Sequence, residues 1–321
     1  MVATDIMKYD VHVKIILFVL TAVLFIFAGA WASDNFQYMS FDDMRRAVAG
    51  VFFTDSITEG ELKEAYAKAA RGEGKVKILI VPGHDDDSWG TEYNGIREAD
   101  LTMRVGEALA AQFAKNSAYE ATLLRGRDGY LSAFETYFAE HREVVRAEVV
   151  AKKKIMKDLL AAGSVERVEG VGHNKAALDV ALRLYAINKW ANENAFHLVL
   201  HLHFNDFGGR TARNMNQYGG FALYVPDGQY SNARASYAVA ESLFSELSSL
   251  FTKSNLPKED AGIVPDQSLI AIGAYNTLDA VSVLIEYAYI YEAPLRTPSG
   301  RKEAIQRFAD ATYRGVERFF R

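Results

Sequence analysis

The sequence predicts an α/β fold: a mostly parallel, twisted sheet of about five or six strands with helices on both faces. Residues 78–81 form an unbroken β-branched and leucine run, which is typical of a strand buried on both faces. Residues 196–206 alternate apolar and polar side chains, as a strand with one polar face does. Strand-like and helix-like segments alternate along the chain, which favours helical crossovers between parallel strands.

The composition limits the class of protein. A chain of 321 residues holds one large domain or two small ones, and with 50% apolar residues it can bury an ordinary core. The net charge of -5 argues against a nucleic-acid partner. Because the chain has no cysteine, disulfides and Cys-based zinc sites are excluded, and histidines and carboxylates would have to hold any metal.

The N-terminal segment, residues 1–32, predicts a signal peptide or a membrane anchor. No charge occurs between Lys14 and Asp34, and small residues end at Ala32, the expected cleavage point. The uncharged run nearly reaches the ~18 residues of a spanning helix, so an uncleaved anchor is the alternative. Either way we expect export to the periplasm or cell envelope, free or anchored to the cytoplasmic membrane, with membrane contact only through this segment.

A helical lead-in is expected at 33–75, followed by the main domain at 76–321. Thr58 and Glu61 have the spacing of a capping box that opens a helix ending near Gly72. The remaining segments are assigned by pattern. Strands are expected at 119–124, 219–225 and 280–287, and helices at 175–192, 231–251 and 302–320. A helical insertion is expected at about 130–162, with a solvated lysine face at 152–154, and residues 165–171 fit either a strand or a loop.

The first strand of the main domain ends directly before His84. Pro82 has no N–H for a sheet and Gly83 permits a sharp turn, so His84 falls at the carboxyl end of the strand, where open α/β sheets place their sites. A polar loop, 85–95, then leads into a helix with Glu98 in its first turn. A strand-end histidine and a first-turn glutamate can face one spot, so both are candidate metal ligands.

Two further candidates lie on later strands. His203 belongs to the polar face of the strand at 196–206, near its carboxyl end. Glu286 interrupts an apolar strand, where a carboxylate is costly to bury unless a charge or metal compensates it. Two imidazoles and one carboxylate make a zinc set with a fourth position open for water, and a second glutamate can take the proton from that water.

Four short motifs follow one another at these strand and helix ends: Pro82-Gly83-His84, Glu98-Ala99-Asp100-Leu101, His203-Phe204-Asn205 and Leu284-Ile285-Glu286. In this order they resemble the motifs of the zinc-dependent N-acetylmuramoyl-L-alanine amidases, cell-wall hydrolases with an α/β fold. The resemblance runs from about Lys77 to the C-terminus. It implies that His84, Glu98 and His203 bind zinc and that Glu286 is the catalytic carboxylate.

The resemblance also implies a function: hydrolysis of the amide between N-acetylmuramic acid and L-alanine in peptidoglycan. Some relatives carry a helix that blocks the zinc until an activator protein moves it, which makes the insertion at about 130–162 a candidate for such control. Two alternatives stay open. One is a zinc peptidase or deacetylase acting on another amide, and the other is a non-catalytic wall-binding or regulatory module.

Three departures from the family pattern concern the surroundings of the site. Val81 stands where the family usually has Asp, and Asp85-Asp86-Asp87 replaces glycines. We interpret these aspartates as a solvated loop. His201 stands where Ser is usual and shares a strand face with His203. It is expected to support a ligand or contact substrate, with service as an alternative ligand left open.

Overall fold

The computed structural model describes residues 56–171, 176–211, 213–214 and 217–321. The expected signal or anchor at 1–32 and the first part of the lead-in lie outside these described residues. Within the described ranges, no helix combines the length and the apolar character needed to cross a membrane.

The elements of the described ranges alternate along the chain largely as expected. The helices are α1 (Glu59–Ala70), α2 (Glu98–Phe113), α3 (Ser132–Ala161), α4 (Leu178–Glu193), α5 (Ala233–Ser248), α6 (Ala293–Arg296) and α7 (Pro298–Phe320), with a 3₁₀ turn at Ile270–Ile272. The strands are β1 (Val76–Pro82), β2 (Glu92–Tyr93), β3 (Ile96–Arg97), β4 (Tyr119–Leu123), β5 (Arg125–Gly126), β6 (Gly129–Tyr130), β7 (Leu198–Asn205), β8 (Ala222–Pro226), β9 (Ile263–Asp266) and β10 (Val281–Tyr289).

Six strands form the central sheet, in the order β4-β1-β7-β10-β8-β9. The first four of these are mutually parallel, whereas β8 pairs antiparallel with β10 and parallel with β9. The expected mostly parallel sheet is therefore confirmed. The edge strand β9 was not expected, because four residues that include Pro265 carry almost no periodic signal.

Side chains of the central strands alternate between two hydrophobic layers. Ile80, Leu202 and Ile285 belong to the layer covered by α2, α5 and α7. Leu79 and Val199 point the other way, into the layer covered by α3 and α4. Helices thus cover both faces, as expected, and the carboxyl ends of β1, β7 and β10 meet at one edge of the sheet.

The end of the lead-in packs onto the main domain. The capping box is present: the Thr58 N–H donates to Glu61 Oε2 at 2.8 Å, and the Glu61 N–H donates to Thr58 Oγ1 at 3.2 Å. Leu62 and Ala69 of α1 are buried in the main core. The helix that precedes β1 is therefore part of the folded unit around the sheet.

The range of the expected insertion, about 130–162, holds helix α3, and the lysines of this helix do not form a uniform solvated face. Lys152 Nζ donates to the carbonyl of Asn276 at 2.8 Å, and Lys153 Nζ lies 5.4 Å from the centre of the Tyr275 ring. The expectation of a solvated lysine is therefore wrong for Lys152. Its partner lies in a loop that is distant in the chain, so the local sequence does not reveal the contact. Residues 165–171 form no strand.

Candidate metal centre and active site

Three side chains converge where β1 and β7 end and α2 begins. His84 follows β1, Glu98 is the first residue of α2, and His203 lies near the end of β7. Each offers one ligand atom, and the three atoms lie within 4.8 Å of one another. The structure thus brings together the three residues that the sequence singled out as metal ligands.

Glu98 is the centre of this cluster. Its Oε2 lies 3.2 Å from His84 Nε2, and its Oε1 lies 3.0 Å from His203 Nδ1. Two backbone N–H groups also donate to it, from Thr91 to Oε2 at 3.0 Å and from Phe204 to Oε1 at 3.1 Å. Its carboxylate is 4% exposed and tied to both segments that carry the histidines.

The electrostatics favour charge on this cluster. Burial opposes ionisation of Glu98, but the hydrogen bonds from His203 and His84 outweigh it and hold the pKa of Glu98 well below its usual range. Burial likewise opposes protonation of His84, yet its hydrogen bond to Glu98 raises the pKa of the imidazole. A buried carboxylate that stays negative beside two imidazoles is a suitable environment for a cation.

The backbone of His84 is strained to reach this position. Its φ is 63°, in the left-handed region that non-glycine residues rarely adopt. Its Nδ1 lies 3.2 Å from the carbonyl oxygen of Ser88, so Nε2 is the nitrogen that faces Glu98. A carbonyl partner on the far ring nitrogen orients a ligating histidine, and strain of this kind is concentrated at functional sites.

Two glycines let the backbone approach the cluster closely. A Cβ at Gly83 would lie 2.3 Å from the His203 ring. A Cβ at Gly90 would lie 2.4 Å from Glu98 Oε2 and 2.6 Å from the His84 ring. Side chains larger than hydrogen at either position would displace a candidate ligand.

Gly90→Ala is expected to destabilise the site more than Gly95→Ala. Both glycines have nearly the same φ, +76° and +75°, but the Cβ at Gly95 meets no atom within 4 Å. Gly95→Ala should therefore lower the free energy of unfolding by about 1–2 kcal/mol, the backbone cost alone. Gly90→Ala should cost a further 1–3 kcal/mol or so through the clash. Urea unfolding of both variants measures the difference, and equal losses would show that the Gly90 clash relaxes freely.

Glu286 lies on the strand next to His203. The two residues are register partners across β7 and β10, and the strand pairing is irregular between Glu286 and Tyr289. Among the described residues, no hydrogen-bond partner reaches the buried Glu286 Oε2. Burial, then the charges of Glu98 and Glu259, raise the pKa of Glu286 well above its usual value. The carboxylate predicted from the apolar strand is therefore adjacent to the cluster and open to a new partner.

His201 lies on the same face of β7 as His203, but it is outside the cluster of His84, Glu98 and His203. It is 1% exposed, and its Nε2 is buried without a hydrogen-bond partner among the described residues. Burial, and secondly the nearby His203, lower the pKa of His201 to about 3. His201 is thus a neutral imidazole behind His203.

Supporting contacts that the sequence did not reveal come from distant segments. Arg125 Nη2 donates to the carbonyls of Ala99 at 2.9 Å and Gly83 at 3.4 Å, which joins the backbone next to Glu98 to the backbone next to His84. These contacts join segments that are distant in the chain, so the local sequence around Arg125 does not predict them.

The loop between β1 and α2 is also held in place. Asp206 Oδ2 accepts a hydrogen bond from Thr91 Oγ1 at 2.6 Å, and Asp206 Oδ1 accepts one from Arg210 Nε at 2.9 Å. Asp85 accepts a hydrogen bond from the Tyr130 hydroxyl at 3.0 Å, whereas Asp86 and Asp87 are exposed, in agreement with a solvated loop.

The family model of the N-acetylmuramoyl-L-alanine amidases matches residues 78–318 of this chain, a range that includes all four candidate residues. The chain belongs to the N-acetylmuramoyl-L-alanine amidase family and is a hydrolase of that class. Peptidoglycan is the substrate that this family membership implies.

Several solved amidase structures are similar to this chain. They include AmiC2 of Nostoc punctiforme, with 16% identity, 76% of this chain and 96% of that chain covered, and a TM-score of 0.45. Ami1 from Mycobacterium smegmatis has 17% identity, 77% and 99% coverage, and a TM-score of 0.48. CwlD from Clostridioides difficile, in complex with the GerS lipoprotein, has 14% identity, 76% and 98% coverage, and a TM-score of 0.49. A search among curated proteins finds no match.

Proposed function

We propose that this protein uses zinc to hydrolyse the amide between the lactyl group of N-acetylmuramic acid and L-alanine in peptidoglycan. The observation that carries the proposal is the cluster of His84, Glu98 and His203 beside Glu286, in a chain of the amidase family. In this proposal the first three residues bind the metal and Glu286 is the general base.

The donor set suits zinc, which binds imidazole nitrogens and carboxylate oxygens. One ligand atom from each of the three residues lies within 4.8 Å of the other two, so a single ion could contact all three after small side-chain adjustments. When bound, zinc would polarise the scissile carbonyl and acidify the attacking water.

Glu286 would move the proton. Its carboxylate takes a proton from the water as the water oxygen attacks the carbonyl carbon, and it returns that proton to the alanine nitrogen as the C–N bond breaks. The products are a lactyl carboxylate and a stem peptide with a free amino group. The pKa of Glu286 is raised first by burial and then by the charges of Glu98 and Glu259, which makes its carboxylate a stronger proton acceptor.

The two alternatives make different products. A peptidase or deacetylase would leave the lactyl amide intact, and a wall-binding or regulatory module would cleave nothing. The complete set of four polar residues favours an enzyme over a binding module. Digestion of purified peptidoglycan followed by mass spectrometry separates all three: stem peptides that begin with a free L-alanine amine support the proposal, and cleavage of any other bond contradicts it.

Export and control remain predictions. An enzyme that acts on peptidoglycan must reach the wall, which agrees with a signal or anchor at 1–32. An activator protein that acts on the helical insertion expected at about 130–162 is a further prediction, and its target would be within α3 (Ser132–Ala161). Activity of the purified chain alone that does not change when a cell-envelope extract is added would contradict the need for an activator.

A further inference from the structure

Glu259 is a buried carboxylate outside the metal cluster. It lies in the loop between α5 and β9, is 1% exposed, and forms no salt bridge within the described part of the chain. Four side-chain groups donate hydrogen bonds to its two oxygens: Asn205 Nδ2, the Tyr224 and Tyr289 hydroxyls, and Ser254 Oγ. These donors come from β7, β8, β10 and the loop itself, so the carboxylate joins three strands at the site edge of the sheet.

The contact with Asn205 fixes the orientation of an amide near the metal cluster. The space beside this cluster, where substrate would bind, is called the cleft below. Asn205 lies two residues beyond His203, so its side chain projects from the same face of β7. An amide can present either its NH₂ group or its oxygen in a given direction. Glu259 Oε1 accepts a hydrogen bond from Asn205 Nδ2 at 2.8 Å, which leaves Asn205 Oδ1 available as an acceptor.

We propose that Glu259 is a positioning residue that fixes the Asn205 amide so that Oδ1 accepts a hydrogen bond from a secondary-amide N–H of the stem peptide. The inference rests on the proposed function for its substrate class. It adds to that function a point next to the metal centre that recognises the peptide. At this point the Asn205 amide presents its oxygen, an acceptor, whereas an unrestrained asparagine could equally present its NH₂ group, a donor.

A purely structural role explains the arrangement less well. Burying a carboxylate without a cationic partner is costly, and an apolar side chain could fill the same space between the strands. Asn205 is partly exposed, whereas Glu259 is buried. The buried Glu259 therefore holds the partly exposed Asn205 side chain in place. A carboxylate and not an amide is required at 259, because only the former cannot donate to Asn205 Oδ1.

The test is Glu259→Gln, measured on a soluble N-acetylmuramoyl pentapeptide. The Gln NH₂ can donate to Asn205 Oδ1, which allows the Asn205 amide to reverse and removes the acceptor from the cleft. We expect KM to rise about tenfold, the worth of one hydrogen bond, with zinc content unchanged. Because the charge of Glu259 also acts on Glu286, KM and not kcat is the readout of this variant. The matched control is Glu246→Gln, which loses only surface ion pairs with Arg314 and Arg318 and should keep the wild-type KM.

Asn205→Ala tests the proposal even if Glu259→Gln does not fold, and a double variant adds a rescue experiment. Asn205→Ala removes the acceptor directly and should raise KM by the same factor. The double variant Glu259→Gln/Asn205→Asp restores an acceptor, because one Asp oxygen takes the Gln NH₂ and the other faces the cleft, so KM should return to near the wild-type value. An unchanged KM in Asn205→Ala, or a double variant no better than Glu259→Gln, would overturn the proposal.

Affinity separates this inference from the proposed reaction. The same changes are made in the Glu286→Ala background, and binding of the muropeptide is measured by calorimetry. A wild type that binds the muropeptide without cleaving it would refute the reaction while the tenfold loss of affinity still supports the role of Glu259. A wild type that does not bind the muropeptide would refute both.

Discussion

Glu286→Ala is expected to lower kcat by about 10²–10⁴-fold, the usual contribution of a positioned acid–base group, while the protein keeps its zinc. The physical reason is that no other carboxylate in the described ranges combines adjacency to His203 with a buried oxygen that lacks a partner. Steady-state kinetics on a muropeptide, with zinc measured on the same sample, check both halves of the prediction.

The matched control for this change is Glu120→Ala. Glu120 is also a strand residue, on β4, but it is exposed. It should keep the wild-type rate. The metal-free Glu286→Ala protein should unfold no earlier than the wild type, because Glu286 Oε2 is buried without a hydrogen-bond partner among the described residues and its removal costs little stability. A Glu286→Ala enzyme with full activity would show that the general base is another residue.

His84→Ala is expected to remove metal and activity together. One of three ligands is lost, so zinc affinity should fall by more than the roughly 10–100-fold that loss of a supporting partner costs. The His84 side chain is oriented by the contact between its Nδ1 and the carbonyl of Ser88, and alanine cannot make this contact. The backbone at position 84 keeps its positive φ, so alanine would also be strained there. Zinc content after dialysis against a weak chelator, together with kcat, measures the effect.

His141→Ala is the control for the histidine series. His141 lies on α3, where its Nδ1 contacts the carbonyl of Tyr137, and it is far along the chain from all three cluster residues. It should retain zinc and rate. If His84→Ala bound zinc as tightly as the wild type, His84 would not be a ligand, and the metal centre would have to be assigned to other side chains.

Local patterns were sufficient to predict the core of this fold. The run at 78–81 and the alternation at 196–206 each reflect a strand's own surroundings, so β1, β7 and the two faces of β7 could be predicted directly. Glu286 could be predicted for the same reason, since a carboxylate in an apolar strand is a local anomaly. Choosing His84, Glu98 and His203 as candidate ligands needed two further steps: the assumption that parallel strands end at one edge, and the resemblance to the amidase motifs.

The remaining features depend on packing between distant segments. The direction of β8 relative to β10 is not encoded in the alternation of either strand. Glu259 lies in a polar loop where a glutamate is unremarkable in the sequence, and its role appears only when Asn205, Tyr224 and Tyr289 are brought around it. Lys152 is similar: a helix-surface lysine is normally solvated, and its bond to Asn276 follows from how α3 docks.

The measurement that tests the metal centre most directly is zinc K-edge X-ray absorption spectroscopy of the zinc-loaded protein. We predict one zinc per chain, coordinated by two imidazoles and one carboxylate oxygen, with the same spectrum in His201→Ala and with zinc lost in His84→Ala. A spectrum with three imidazoles would assign His201 as a ligand, and failure to take up one zinc would contradict the account.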